Sequence, residues 1–120
     1  MKIDVNKLDS IALDYAVTKV LDPDALEYGV QDWREQRASV VKNGEYIHRY
    51  HQSWAQAGPL IRQFRVSLIR KHDGLTMACI YDVDDEPRMM TIHHDPIVAA
   101  MRCVVYVQLG CEVDIPEELL

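Results

Sequence analysis

The sequence predicts an α+β fold: an antiparallel sheet of three to five strands, two main helices and a short helix–corner–helix, in a single domain over residues 1–120. Three observations predict it. Apolar residues recur every three to four positions from Leu8 to Val20, and a nearly unbroken apolar run from Ile97 to Leu109 stands between Asp95-Pro96 and Gly110. Between them, Asn43-Gly44 stands between apolar runs, the pattern of a two-residue hairpin turn. Further short apolar runs, "VSLI" and "TMACIY", are separated by turn residues. A chain of 120 residues buries roughly two-thirds of its unfolded surface, enough for a core without a disulfide or metal staple.

The first helix is expected over Asn6–Leu21. Leu8, Ala12, Tyr15, Ala16 and Val20 form its buried face, and Asp9 or Ser10 caps it. Ser10, Asp14, Thr18 and Asp22 follow at four-residue steps and read as a solvated stripe. Pro23 stops the helix. Residues 22–32 read as a polar connector containing Gly29. Strands follow at about 37–42 and 45–50. "QFRVSLI" ends in a short strand, and "GLTMACIYDV" is another after the His72-Asp73-Gly74 turn. "DDEPRMMTIHH" is a loop with room for one more short strand. Asp95 caps the last helix, Pro96 is its first residue, and Gly110 ends it. That helix is apolar nearly all round, so its perimeter calls for a sheet on one side and a helix or second subunit on the other.

One segment does not fit a plain connector: "HQSWAQAGPLI", residues 51–61. Ser53 is placed to cap a short helix from Trp54. Gly58 is expected to end that turn, and Pro59 to start a second helix carrying Leu60, Ile61 and Phe64 inward. Such a corner leaves backbone N–H groups open to an anion. Trp54 then serves as a flat platform beside Gln56, or else plugs the core. Arg102 sits mid-helix among apolar neighbours and must snorkel, pair with a carboxylate or meet an anionic ligand. Tyr106 lies one turn further on the same face. The candidate ligand-binding set is therefore Ser53, Trp54, Gln56, Gly58, Pro59, Arg62, Arg102 and Tyr106.

Three stretches, "LDSIALDYAVTKV", "SWAQAGPLI" and "DPIVAAMRCVVYVQLGCEVDIPEEL", together resemble the NinX-like family of lambdoid phages, whose members carry a similar "DWAQGGPLI" corner. Residues 52–53 are Gln-Ser where the family has Thr-Asp, and Ala57 stands for a glycine. Residues 26–49 find no counterpart. The resemblance implies a phage accessory protein of the host cytoplasm without an assigned enzyme activity. In layout alone, the chain also resembles the anti-Thoeris sponge proteins, which implies sequestration of a nucleotide-derived immune signal.

Charge narrows the partners. Thirteen basic against nineteen acidic residues, net −6, argue against nucleic acid, which needs a basic footprint. The middle of the chain is nevertheless basic, with Arg62, Arg65, Arg70 and Lys71 among its cations, and suits a compact anion. No stretch reads as a signal peptide or membrane span, so a cytoplasmic protein is expected. Cys79 and Cys103 read as buried small hydrophobes. His48 and His51 stand three apart, and His93-His94-Asp95 need help from elsewhere, so no metal site is expected. "DVDDE" lacks the glycine and distal glutamate of a calcium loop and reads as a solvated acidic turn. No catalytic residue and no cofactor are assigned. Three readings compete: a non-enzymatic binding module for a small nucleotide-derived ligand, a protein-interaction adaptor, and a small hydrolase. A homo-oligomer is expected from the last helix.

Overall fold

The computed structural model describes residues 1–21, 27–32, 37–42, 46–81 and 87–120. The architecture is α+β with antiparallel pairing throughout. In chain order the elements are β1 (Lys2–Asp4), α1 (Ser10–Leu21), β2 (Glu27–Asp32), β3 (Arg37–Lys42), β4 (Tyr46–His48), α2 (Trp54–Gln63), β5 (Val66–Arg70), β6 (Thr76–Tyr81), β7 (Pro87–His93), α3 (Pro96–Leu109) and β8 (Glu112–Asp114). Among the described residues the strands form three sheets: β2–β3–β4, β5–β6–β7 and the pair β1–β8. The expected hairpin is β3–β4, with Lys42 opposite Tyr46. Its Asn43-Gly44 turn lies outside the described residues, as does the acidic stretch 82–86.

Helix α3 is the centre of the molecule. Asp95 caps it by accepting from the Ile97 N–H at 2.9 Å, and Pro96 opens it, where a missing N–H costs nothing. Gly110 ends it at φ 97, a backbone angle that residues with a Cβ avoid. One side of α3 is small: Ala99 and Cys103 pack on Ala78 of β6, so helix and sheet approach closely. The Thr91 hydroxyl of β7 donates to the Ala99 carbonyl and ties the two layers. On the other side Met101, Val104 and Val105 join Leu13, Ala16 and Val17 of α1 and Ala57 and Leu60 of α2. Every residue from Ile97 to Val105 is buried within one chain. The apolar perimeter of α3 is therefore no argument for a second copy.

Several expectations need correction. α1 begins at Ser10, because Leu8 is extended and a 3-10 turn at Val5–Lys7 precedes it. The supposed connector at 22–32 contains strand β2, paired with β3. Its glycine and its charges hid it. β1 and β8 pair across nearly the whole chain length, from Lys2–Asp114 to Asp4–Glu112, and three-residue strands carry too little periodicity to be read. The polar stripe of α1 is not solvated: Asp14 and Thr18 are both buried.

The outward face of the β5–β6–β7 sheet is apolar. Alternation sets Ile69, Met77 and Ile92 in one rank and Ser67, Cys79 and Met90 in the next, on the side away from Ala78 and α3, so Ser67 is the polar member of these two ranks. Ile69, Tyr81, Met90 and Ile92 are exposed.

Candidate functional site

The corner at Gly58-Pro59 does not form. Trp54 to Gln63 is a single helix with Pro59 as its sixth residue. Pro59 removes one internal hydrogen bond. Ala57 before it and Leu60 after it are buried in the same core, which keeps both halves on one axis. Gly58 keeps an ordinary backbone, and a Cβ there would meet nothing within 4 Å. The expected cap is present: the Ser53 hydroxyl accepts from the Gln56 N–H at 3.3 Å.

The approach to α2 is bolted to α1. The His51 N–H donates to Asp14 Oδ1 at 2.9 Å, and the ring nitrogen Nδ1 lies 2.8 Å from both Asp14 oxygens. An ionised carboxylate accepts only, so Nδ1 carries the proton. Asp14 is 1% exposed. Burial pushes its carboxyl above the usual range, and the bonds and charge of His51 pull back against that rise. The Gln56 side chain turns inward, its Oε1 accepting from the Arg49 N–H at 2.6 Å. Thus two residues of the puzzling segment, His51 and Gln56, and the Ser53 cap are committed to architecture. The Asp14–His51 pair was hidden because a polar residue every fourth position has the same pattern whether water or a distant histidine meets it.

Trp54 is different: it is 53% exposed and is no core plug. Pro59 and Arg62 are exposed with it, while Gly58 is half-buried. Trp54, Gly58 and Arg62 succeed each other at four-residue steps, one stripe along the helix. At 1.5 Å per residue the stripe from Trp54 to Arg62 is about 12 Å long. The bare backbone of Gly58 lies between the ring and the cation.

Arg102 stands elsewhere. It is 8% exposed, and its Nε donates to the Leu8 carbonyl at 2.6 Å, at the entrance to α1. Asp9 and Asp4 lie near enough to favour its charge against the cost of burial. Among the described residues no carboxylate lies within ion-pair distance of it, so a backbone carbonyl takes the place of the expected partner. Tyr106 packs against the core. The structure therefore gathers Ser53, Trp54, Gln56, Gly58, Pro59 and Arg62 on α2 and its cap, and sets Arg102 against the start of α1.

The thiol of Cys103 is buried against the sheet. Burial pushes the Cys103 thiol up to about 12, which leaves it protonated and unreactive at neutral pH. Among the described residues no group of three or more metal-ligating side chains comes together, and no helix is long and apolar enough to cross a membrane.

These features sit in a sequence with a known pattern. The family model for NinX of bacteriophage P22 matches residues 4–108. The chain belongs to the NinX family. No curated protein matches it. The matched span runs from β1 through nearly all of α3, so Asp14, His51, the α2 stripe and Arg102 all belong to the family region of this NinX protein.

Proposed function

We propose that this NinX protein is a non-enzymatic binding module for a small, flat, anionic molecule of nucleotide type, held along the Trp54–Gly58–Arg62 stripe of α2. The exposure of Trp54 carries this reading. A large aromatic left half in water costs apolar burial, yet the helix bearing it is pinned by Ala57, Leu60 and the Asp14–His51 bond. A rigid exposed indole is a stacking surface that loses little entropy when a ring settles on it. Arg62, about 12 Å along the helix, is at the reach of a phosphate whose base stacks on Trp54. In a phage protein, capture without turnover removes a nucleotide signal from the host, an anti-defence role in the host cytoplasm. The test is native mass spectrometry of protein purified from phage-infected cells, followed by titration of the retained nucleotide into Trp54→Ala. A retained nucleotide whose affinity for the variant drops by about 1–3 kcal/mol supports the reading. Protein recovered without one, or unchanged affinity in the variant, overturns it.

The second reading, an adaptor that docks on a host or phage protein or on another copy of itself, is favoured by the outward apolar face of β5–β6–β7. Ile69, Tyr81, Met90 and Ile92 make a patch of the kind that marks interaction surfaces. Light scattering on Met90→Lys against the parent chain tests it: an assembly that falls to monomer supports docking at this face.

A further inference from the structure

A cavity lies away from α2, where β5 turns into β6 beside the start of α3. It has a volume of about 320 Å³ and is lined by Leu68, Arg70, Gly74, Thr76, His94 and Pro96. A shallower depression lined by Arg70, Lys71, His72 and Gly74 adjoins it. Arg70 and Thr76 are direct cross-strand partners, so their side chains leave the sheet on one face. Thr76 is 8% exposed, yet among the described residues its hydroxyl has no hydrogen-bond partner. A buried hydroxyl without a partner is costly, and native structures keep few of them. Among the described residues no carboxylate lies within ion-pair distance of Arg70 or Lys71 either.

The nearby acids are occupied. Asp73 accepts from the Leu75 N–H, and Asp95 from the Ile97 N–H. His93, opposite Thr76 on the other flank, stacks on His94 with ring centroids 4.2 Å apart and accepts from the Asp95 N–H through Nδ1. Burial, with Arg102 behind it, holds His93 below the usual imidazole range. It is therefore a neutral wall, and His94 is the ring that faces the cavity. Gly74, at φ 85, offers no side chain to close the mouth.

We propose that this cavity is a binding site for the phosphoryl group of a small phosphorylated molecule. The Thr76 hydroxyl donates from its wall, the Arg70 guanidinium supplies charge, and Leu68 and Pro96 take an adjoining apolar ring or chain. The concentration of Arg70, Lys71 and His72 at the mouth draws an anion toward a protein that is acidic overall. The site does not depend on the α2 stripe.

Phenyl phosphate is the probe, titrated into the full chain at constant ionic strength by calorimetry, with phenol as the control lacking a phosphoryl group. Saturable binding of phenyl phosphate and not of phenol is expected. Thr76→Val and Arg70→Gln should each weaken it by about tenfold, the effect of one hydrogen bond to a charged group. Lys7→Gln, which removes one exposed cation outside both the cavity and the α2 stripe, should bind the probe like the parent chain. Absence of saturation, equal binding in the parent, Thr76→Val and Arg70→Gln chains, or a matching loss of binding in Lys7→Gln would overturn the assignment. Arg70 is exposed, so its variant separates binding from folding.

Discussion

The junction of α1 with the entrance to α2 and the cavity between β5 and α3 are both rich in polar side chains, and they differ in what those side chains meet. At the junction every group has its partner: Asp14 with His51, Gln56 with the Arg49 N–H, the Ser53 hydroxyl with the Gln56 N–H. At the cavity a buried hydroxyl and a guanidinium stand without protein partners among the described residues. A satisfied polar cluster specifies how elements dock. An unsatisfied one is open to a ligand. Composition does not separate the two, because both contain histidine, a hydroxyl and arginine.

Mutation can break or sharpen this contrast. The largest effect should come from Asp14→Ala, which leaves His51 without its partner at 2.8 Å; a loss of about 3–5 kcal/mol in urea unfolding is expected. If the loss stays below about 1 kcal/mol, the junction is not a structural bolt. Ser53→Ala removes the α2 cap and should cost about 1 kcal/mol in the same measurement. Thr76→Val should go the other way, with unfolding free energy unchanged or raised by up to about 1 kcal/mol, since it removes a hydroxyl without a partner among the described residues and keeps the side chain's shape. A clear destabilisation would mean that Thr76 has a structural partner. Trp54→Ala, at a half-exposed position, should stay within about 0.5 kcal/mol of the parent.

Acidification adds a test of sign. The folded-state pKa of Asp14 is raised above the ordinary aspartate value of 3.8, chiefly by burial. The folded protein therefore holds the proton more tightly than the unfolded chain. The stability tied to this proton is fully present below 3.8 and is lost as pH rises through the folded value. Relative to Asp14→Asn, which cannot titrate, the parent chain should gain stability as pH falls from neutral toward about 4. Denaturation midpoints of the two chains over that range would reveal it. A parent chain that loses ground to the variant on acidification would mean that the pull of His51 outweighs burial.

Local rules carried much of the fold. The Asp95-Pro96 start and Gly110 end of α3, the Ser53 cap, and the β3–β4 pairing each depend on residues within a few positions of one another, and each is present. Local rules also misread two places. Gly-Pro reads as a break, although burial of Ala57 and Leu60 on one surface carries the helix through it. The Ser10–Asp14–Thr18 stripe reads as a wet face, although Asp14 is met by a residue 37 positions away.

The sequence by itself determined the α+β class, the caps that begin α2 and α3, and an apolar α3 that had to be covered on most sides. Those follow from propensity, turn chemistry and hydrophobic period, which act over one or two turns of chain. Only the tertiary structure decided that Trp54 faces solvent, that Arg102 is met by the Leu8 carbonyl, and that Asp14 holds His51. It also decided that Thr76 lies beside Arg70 with no hydroxyl partner among the described residues. The reason is physical: the cost of a buried charge, hydroxyl or indole depends on which distant group arrives to meet it, and side-chain spacing along the chain does not carry that information.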